Sequence, residues 1–246
     1  SINKEFESLF KINSYNSSLL FNPNEVLNNA GSFFKVYTPF WKNALNKLNL
    51  REPLPLPNIK YVYQKDILSL KNVAISDVNE NWGEKILSYF NPGEVSAREM
   101  LAQTSTNIKG YSEGRDFPIK NNTSQLSPYI ARGELSVNEI FYLMRKNKKK
   151  ININDYTKFT SQLGWREFSY NILYNFPKLP KKNFISKFDN FPWSKNSKLL
   201  NLWKKGLTGY PIVDAGMREL RTTGYMHNRL RMIVASFLIK NLNISW

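Results

Sequence analysis

The chain has 246 residues, of which 41% are hydrophobic and 14% aromatic, so it can bury a large core and is too apolar for a disordered polyelectrolyte. Its 35 Lys and Arg against 19 Asp and Glu give a net charge of +16, which favours an anionic partner such as nucleic acid or a membrane surface, although surface solubility alone explains many lysines. The absence of Cys and the single His227 exclude disulfides, thiolate sites and multi-histidine metal sites.

No apolar run is long enough to cross a membrane, and no signal peptide opens the chain. We therefore expect a cytoplasmic protein that acts as a monomer, without a membrane partner and without a metal. The basic run at residues 145–150 is more typical of a solvated loop than of a binding site.

The first 62 residues mix short apolar and aromatic runs with turn residues, which predicts short elements of mixed type. Pro53, Pro55 and Pro57 alternate with leucines, and this spacing prevents a helix and favours an extended connector. A polar stretch follows, and from about Pro92 onward the pattern is that of helices.

Three helix signals follow in chain order. Residues 136–139 have the sequence of a capping box, with a serine and a glutamate that would satisfy backbone N–H groups. A second helix is predicted from about Asp155 to Phe176. Pro211 suits the first turn of a third helix, and Gly224 suits its C-terminal end.

The last helix is predicted from about Met226 to Ile244. It has one apolar face at helical spacing, formed by Leu230, Ile233, Val234, Phe237 and Leu238. Met232, Ala235 and Ile239 lie roughly opposite, so we expect this helix to be buried on both sides.

Hydroxyl side chains precede a predicted helix that would begin at Pro128. Thr123, Ser124 and Ser127 stand where free backbone N–H groups and a partial positive charge would suit a phosphate. A Ser127 that simply caps its helix explains the same pattern.

Two further segments place flat or cationic side chains on helices. Gln162, Trp165 and Arg166 lie on adjoining parts of one helical face and could stack on a base or an aromatic cofactor, although a core Trp beside a salt-bridged Arg is the alternative. Asn228 and Met232 are one turn apart on the last helix, and arginines flank Asn228 on that helix. These suit an anionic ligand, or a structural arginine network.

Taken together, these segments resemble the photolyase/cryptochrome family. The strings at residues 208–218 and 223–232 closely resemble its flavin-domain signature, and residues 114–118, 123–129 and 165–168 follow the family's order and spacing. Residues 35–41 resemble the end of its antenna domain. The resemblance implies a mostly α fold, with an antenna-domain end (1–62), a linker (63–91) and an incomplete helical FAD- and DNA-binding domain (92–246).

The resemblance also implies roles for individual residues. Flavin contacts are expected at Tyr111, Thr123, Ser124, Leu126, Ser127, Arg166 and Arg231. Contacts to UV-damaged DNA or to its flipped-out pyrimidine dimer are expected at Arg115, Gln162, Trp165, Arg229 and Met232. Asn228 is expected between flavin and lesion, and Trp193 and Trp246 in the tryptophan chain that photoreduces the flavin. A second, antenna chromophore of unknown identity is also implied.

Two departures qualify the implied light-driven repair of cyclobutane pyrimidine dimers. Gln162 stands where most such photolyases have Glu, and an amide lacks the carboxylate's charge; the string at residues 227–232 nevertheless argues against the six-four branch. The family sequence also continues before residue 1 and after Trp246, so we expect this chain alone to bind FAD weakly and repair little. A cryptochrome-type photoreceptor, or a basic DNA-binding module without flavin, are the alternatives.

Overall fold

A computed structural model describes residues 16–55, 58, 60 and 80–245, except for the side chains of Glu80 and Asn81. Within these ranges the regular structure is helical, and the only β-type pairing described is one antiparallel bridge between Leu27 and Phe33. The mostly α fold class is thus confirmed. The α-helices are α1 (Tyr37–Asn46), α2 (Glu80–Leu87), α3 (Glu94–Thr106), α4 (Tyr111–Gly114), α5 (Ser127–Arg132), α6 (Val137–Lys146), α7 (Ile153–Asn175), α8 (Ser197–Lys205), α9 (Pro211–Thr223) and α10 (Asn228–Ser236).

Helix α7 is the central element of the first core. Its N-terminus is capped by Asn152, whose side-chain oxygen accepts a hydrogen bond from the Asn154 N–H at 2.8 Å. Gly164 allows α1 to approach, because a Cβ at this position would lie 2.5 Å from the ring of Trp41. Helices α1, α4 and α6 all pack against α7.

The first core joins the N-terminal segment to the helices that follow it. Its buried side chains come from residues 21–44 and from α3 to α7, among them Phe21, Val26, Phe40, Trp41, Leu101, Leu126, Ile140, Met144, Phe159 and Leu163. The described part of residues 1–62 therefore packs directly on the helical region. The domain boundaries near residues 62 and 91 stay a prediction.

The second core lies between α8, α9 and α10. It is formed by Val213, Met217, Met226, Leu230, Val234 and Phe237. Gly216 permits close contact of α9 with α10, since an added Cβ would lie 3.2 Å from a methyl group of Val234. Asp214 fixes the start of α9 by accepting hydrogen bonds from the Thr208 N–H and hydroxyl and from the Gly209 N–H.

Two of the predicted helices are confirmed to within two residues. Helix α7 covers 153–175, and α9 covers 211–223 and ends at Gly224 in the left-handed conformation, with φ of 71°. The capping box forms only in part. Ser136 accepts from the Asn138 N–H, while the Glu139 carboxylate pairs with Arg98 at 3.5 Å.

The last helix differs from its prediction in extent and burial. The α-helix begins at Asn228 after a cap by His227, whose Nδ1 accepts from the Arg229 N–H, and it changes at Phe237 to a π-helical turn that ends at Asn241. Burial on both sides is wrong: Leu230 and Val234 are buried, but Met232 is 56% exposed. The physical reason is that α10 packs against α9 through one face, and no described element covers the other.

Candidate functional site

Trp165 is held on the surface of α7 by an aromatic partner from α1. Its ring stacks on Tyr37 with centroids 3.7 Å apart and planes 10° from parallel, and the Tyr37 hydroxyl donates a hydrogen bond to the Ser161 carbonyl at 2.9 Å. Trp165 is nevertheless 48% exposed. It is therefore not a core Trp, and it offers a supported aromatic surface on which a base could stack.

Gln162 lies one turn before Trp165 on the same helix. Its amide nitrogen donates to the Lys158 carbonyl and to the Ser161 hydroxyl, each at 3.2 Å. Within the described ranges no group donates to its amide oxygen, so this oxygen is available to accept a hydrogen bond from a ligand.

Asp116 contacts three cations: its neighbour Arg115, Lys158 of α7 and Arg229 of α10. It accepts from the Arg115 Nη1 at 2.9 Å, from the Arg229 Nε and Nη2 at 3.1 and 2.9 Å, and it pairs with the Lys158 ammonium at 3.4 Å. The hydrogen bond from Arg229 and the surrounding positive charge lower the pKa of Asp116 to about 2. This carboxylate stays ionised and ties α10 to α7.

The connection that Asp116 makes between α7 and α10 joins two helices that carry predicted lesion contacts. Spacings of four and seven residues place the side chains of Lys158, Gln162 and Trp165 on one face of α7. On α10, Met232 lies one turn after Arg229, whose Nη1 is 3.9 Å from the Met232 sulfur. The predicted lesion-contacting residues of α7 and α10 are therefore carried by elements that Asp116 connects.

Arg115, a predicted DNA contact, is buried, with only 7% of its surface exposed. Its guanidinium lies over the Tyr111 ring, and its buried Nε has no hydrogen-bond partner in the described part of the chain. Arg115 is placed to support Asp116, and its contact with DNA stays a prediction. The arginine-network interpretation applies to Arg229, because that residue also pairs with Asp116.

The hydroxyl-rich loop lies before α5, as expected, but Ser127 does not cap it. Ser127 is the first residue of the helix, and its hydroxyl makes no capping bond. Thr123 accepts a hydrogen bond from the Tyr225 hydroxyl at 3.4 Å, and Gln125 has a φ of 50°. The side-chain hydroxyls of Ser124 and Ser127 have no hydrogen-bonding partner among the described residues.

The remaining predicted flavin contacts have different surroundings. Tyr111 and Leu126 are buried, and burial raises the pKa of Tyr111 to about 12. Arg231 is exposed and donates to the Met226 carbonyl at 3.0 Å. Arg166 is turned toward the N-terminal segment, where it donates to the Ser18 carbonyl at 2.8 Å, and it pairs with Glu167 as the salt-bridge alternative predicts.

Three predicted residues are expected between flavin and lesion or in the tryptophan chain. Asn228 is exposed at the start of α10. Trp193 is half-buried, with its ring centroid 4.5 Å from that of Phe191. Trp246 lies outside the described residues. The roles of all three stay predictions.

Sequence reasoning missed several residues that organise the site. Lys158 carries no motif, and Asp116 stands within the recognised string 114–118 without an assigned role. Asp155 was also missed: it accepts from the Gly110 and Ser112 N–H groups and fixes the start of α4, which carries Tyr111. Burial by itself would raise the pKa of Asp155, but these hydrogen bonds hold it below its usual value. Only spatial proximity identifies such anchors.

A cavity of about 710 Å³ lies behind Asp155, between the end of α3 and the start of α7, and its lining includes Lys109 and Lys150. It is lined by none of the predicted site residues.

The described ranges contain no group of three or more His, Asp or Glu side chains suited to a metal ion. Nor does any helix in them combine the length and apolar character that a bilayer crossing requires.

Comparison with known proteins gives consistent results. The family model for the FAD binding domain of DNA photolyase matches residues 159–246. A deoxyribodipyrimidine photo-lyase of Agrobacterium fabrum is 39% identical over 239 residues, which is 96% of this chain and 50% of that protein. Cryptochrome-2 of Arabidopsis thaliana is 32% identical, over 99% of this chain and 42% of that protein.

Solved structures agree with these matches. A class III photolyase from Agrobacterium tumefaciens has a TM-score of 0.86 at 37% identity, covering 100% of this chain and 52% of that one. A cryptochrome from Synechocystis has a TM-score of 0.75 at 28% identity, covering 94% and 50%. The chain thus spans about half the length of the relatives it matches. On sequence and fold together, the chain belongs to the DNA photolyase/cryptochrome family.

Proposed function

We propose that this chain carries part of the machinery for light-driven, FAD-dependent repair of cyclobutane pyrimidine dimers in DNA. The observation that carries this proposal is the set of ion pairs at Asp116, which connects the face of α7 bearing Gln162 and Trp165 to the first turns of α10 bearing Arg229 and Met232. A supported aromatic ring, a free amide oxygen and exposed cations suit a flipped-out base with its phosphates. The net charge of +16 supports a polyanionic substrate.

The residues expected to hold FAD fit that cofactor in part. The hydroxyls of Ser124 and Ser127 lack partners among the described residues and could donate to a diphosphate. Thr123 lies beside them, and the exposed Arg231 guanidinium has further N–H groups beyond its bond to Met226. By contrast, Arg166 is already engaged with Ser18 and Glu167. Bound FAD would supply the electron that light makes available for splitting the dimer.

The chain's own residues would then bind and orient the substrate. Trp165 would stack on the dimer, and Gln162 would accept or donate a hydrogen bond at its edge. Met232 would pack against it from α10. Because Tyr37 already holds one side of the Trp165 ring, little conformational entropy is lost when a base stacks there.

The experiment is repair of a dimer-containing oligonucleotide under blue light, with added FAD. It should be run on this chain and on a version extended at its C-terminus, together with a visible absorption spectrum of each. We expect a structured flavin spectrum and light-dependent repair in the extended version, with weak binding in the chain alone. If neither version retains flavin, the proposal is wrong. Tight FAD binding and full repair by the 246 residues would contradict only the expectation that this chain alone binds FAD weakly and repairs little.

A cryptochrome-type photoreceptor is the second candidate. The cryptochromes among the similar proteins favour it. Repair of dimer-containing DNA separates the two candidates, since a photoreceptor would bind flavin and respond to blue light without restoring the DNA. The archaeal photolyase of Sulfolobus tokodaii, described as having two FAD molecules that imply a novel light-harvesting cofactor, aligns with 64% of this chain at a TM-score of 0.55. A second chromophore for this protein stays a prediction.

A further inference from the structure

We propose that Lys158 and Arg229 form a two-cation clamp for one phosphodiester of bound DNA, and that Asp116 is the residue that positions them. This inference rests on the proposed DNA-repair function and adds two residues to it. Lys158 and Asp116 had no assigned role in the sequence.

The cations around Asp116 carry more positive charge than its carboxylate neutralises. Three cations, from Arg115, Arg229 and Lys158, lie within 3.4 Å of its two oxygens, so one negative charge faces three positive ones. The local excess of two positive charges is larger than a simple tie between helices requires. An anion beside the cluster would reduce the repulsion between the cations.

The two outer cations remain accessible to a ligand. The side chains of Lys158 and Arg229 are 36% and 40% exposed, whereas that of Arg115 is only 8% exposed. Arg229 binds Asp116 through Nε and Nη2, so among the described residues its Nη1 contacts only the sulfur of Met232, a weak acceptor. The ammonium of Lys158 has only one partner, Asp116, within the described ranges and keeps N–H groups free. Arg115 contacts Asp116 from the buried side of the cluster.

The position of this cluster beside Trp165 indicates which anion it fits. Lys158 precedes Trp165 by seven residues on the same face, which is about 10 Å along a helix. That distance equals about three base-pair steps measured along the axis of B-form DNA, where each strand carries one phosphate per about 3.4 Å of axis. A strand with one base stacked on Trp165 could therefore place a nearby phosphate between Lys158 and Arg229.

The test measures binding of a fluorescent duplex carrying one cyclobutane dimer, in the dark, over about 50 to 200 mM salt. For K158Q we expect the slope of log affinity against log salt to fall by about 0.9, which is the loss of one phosphate contact. The ratio of the affinities at 50 and 200 mM salt would then be about three- to fourfold smaller for K158Q than for the unmodified chain. Lys158 is one-third exposed, so this variant should fold normally.

D116N provides the sharper measurement, because it raises the net charge by one. Non-specific electrostatics alone would therefore strengthen DNA binding. If Asp116 positions the clamp, affinity falls instead, and the salt slope decreases by between about 0.9 and 1.8. The matched control is E113Q, which makes the same change of charge at an exposed glutamate on α4 that pairs with no described cation. Melting curves ensure that every variant is measured folded.

The outcomes separate the clamp from the proposed function. The clamp is supported if D116N binds more weakly than E113Q and K158Q loses salt sensitivity. It is overturned if D116N binds at least as tightly as E113Q, or if K158Q keeps the original slope while the unmodified chain binds DNA. Failure of both the unmodified chain and its C-terminally extended version to bind the duplex would overturn the repair function, and the clamp with it.

Discussion

The ring of Tyr37 lies parallel to that of Trp165 at a centroid distance of 3.7 Å, so a residue of α1 supports the most exposed aromatic of the candidate site. The two residues are 128 positions apart in sequence. The Tyr37 hydroxyl also donates a hydrogen bond to the backbone of α7, so Tyr37 is held both by the face of its ring and by its hydroxyl. Burial raises the pKa of Tyr37 to about 12, so it stays a neutral donor at physiological pH.

Removal of the stacking surface should weaken lesion binding. We expect W165A to lose about 1–3 kcal/mol of binding free energy for dimer-containing DNA, the usual contribution of one base–aromatic stack. Y37A should lose part of this, because Trp165 would no longer be held flat, while Y37F keeps the stack. Fluorescence anisotropy measures the affinities. W82A removes another exposed Trp, from α2, and serves as the control; an equal loss there would contradict a specific role for Trp165.

Replacement of Gln162 by Glu should sharpen discrimination between damaged and undamaged DNA. A carboxylate binds N–H donors of the dimer more strongly than an amide does, but it also repels phosphates, so binding to undamaged duplex should weaken. The measurement is the ratio of the two affinities for Q162E and for the unmodified chain. A ratio that stays constant would show that Gln162 does not contact the lesion.

Glu167 should make stability depend on pH. Burial raises its pKa from 4.5 to about 7, although Arg166 and the Leu20 N–H favour the ionised form. The folded chain therefore holds this proton more tightly than the unfolded chain does. The contribution of the protonated Glu167 to the free energy of unfolding is complete below about pH 4.5. It is lost as pH rises to about 7, which lowers the stability by up to about 3 kcal/mol.

Urea unfolding at pH 5 and pH 8 measures this effect. E167Q keeps an acceptor for the backbone N–H groups but cannot ionise, so its stability should change less between the two pH values. Asp116 does not interfere, since its pKa is lowered to about 2 and its titration lies below this window. E139Q, at a carboxylate on the surface of α6, is the control. The same pH dependence in E167Q as in the unmodified chain would refute the assignment.

The close contact of α1 with α7 should not tolerate a larger residue at position 164. In G164A the new methyl group would lie 2.5–2.8 Å from atoms of the Trp41 ring, which must then move within a packed core. We expect a loss of about 1–3 kcal/mol in the free energy of unfolding. G216A, where the nearest atom is 3.2 Å away, should cost less. Urea denaturation compares them, and equal stability of G164A and the unmodified chain would show that Trp41 repacks freely.

Local signals in the sequence were sufficient for several features. The helix at 153–175 was predicted with nearly its observed ends, and the helix at 211–223 followed from Pro211 and Gly224, because such end signals depend on the backbone of a few neighbouring residues. The mostly α class and the family also followed from motifs in the sequence. The last helix was predicted too long and too deeply buried, since periodicity shows which residues share a face but not whether another element covers it.

The sequence by itself determined the composition, the main helices and the residue types of the candidate site. Only the tertiary structure decided which of them meet: that Tyr37 supports Trp165, that Arg166 turns toward Ser18, and that Asp116 gathers Lys158 and Arg229. These contacts join residues up to 148 positions apart. Their geometry depends on how α1, α7 and α10 pack, and packing is set by the shape of the whole core rather than by any local pattern.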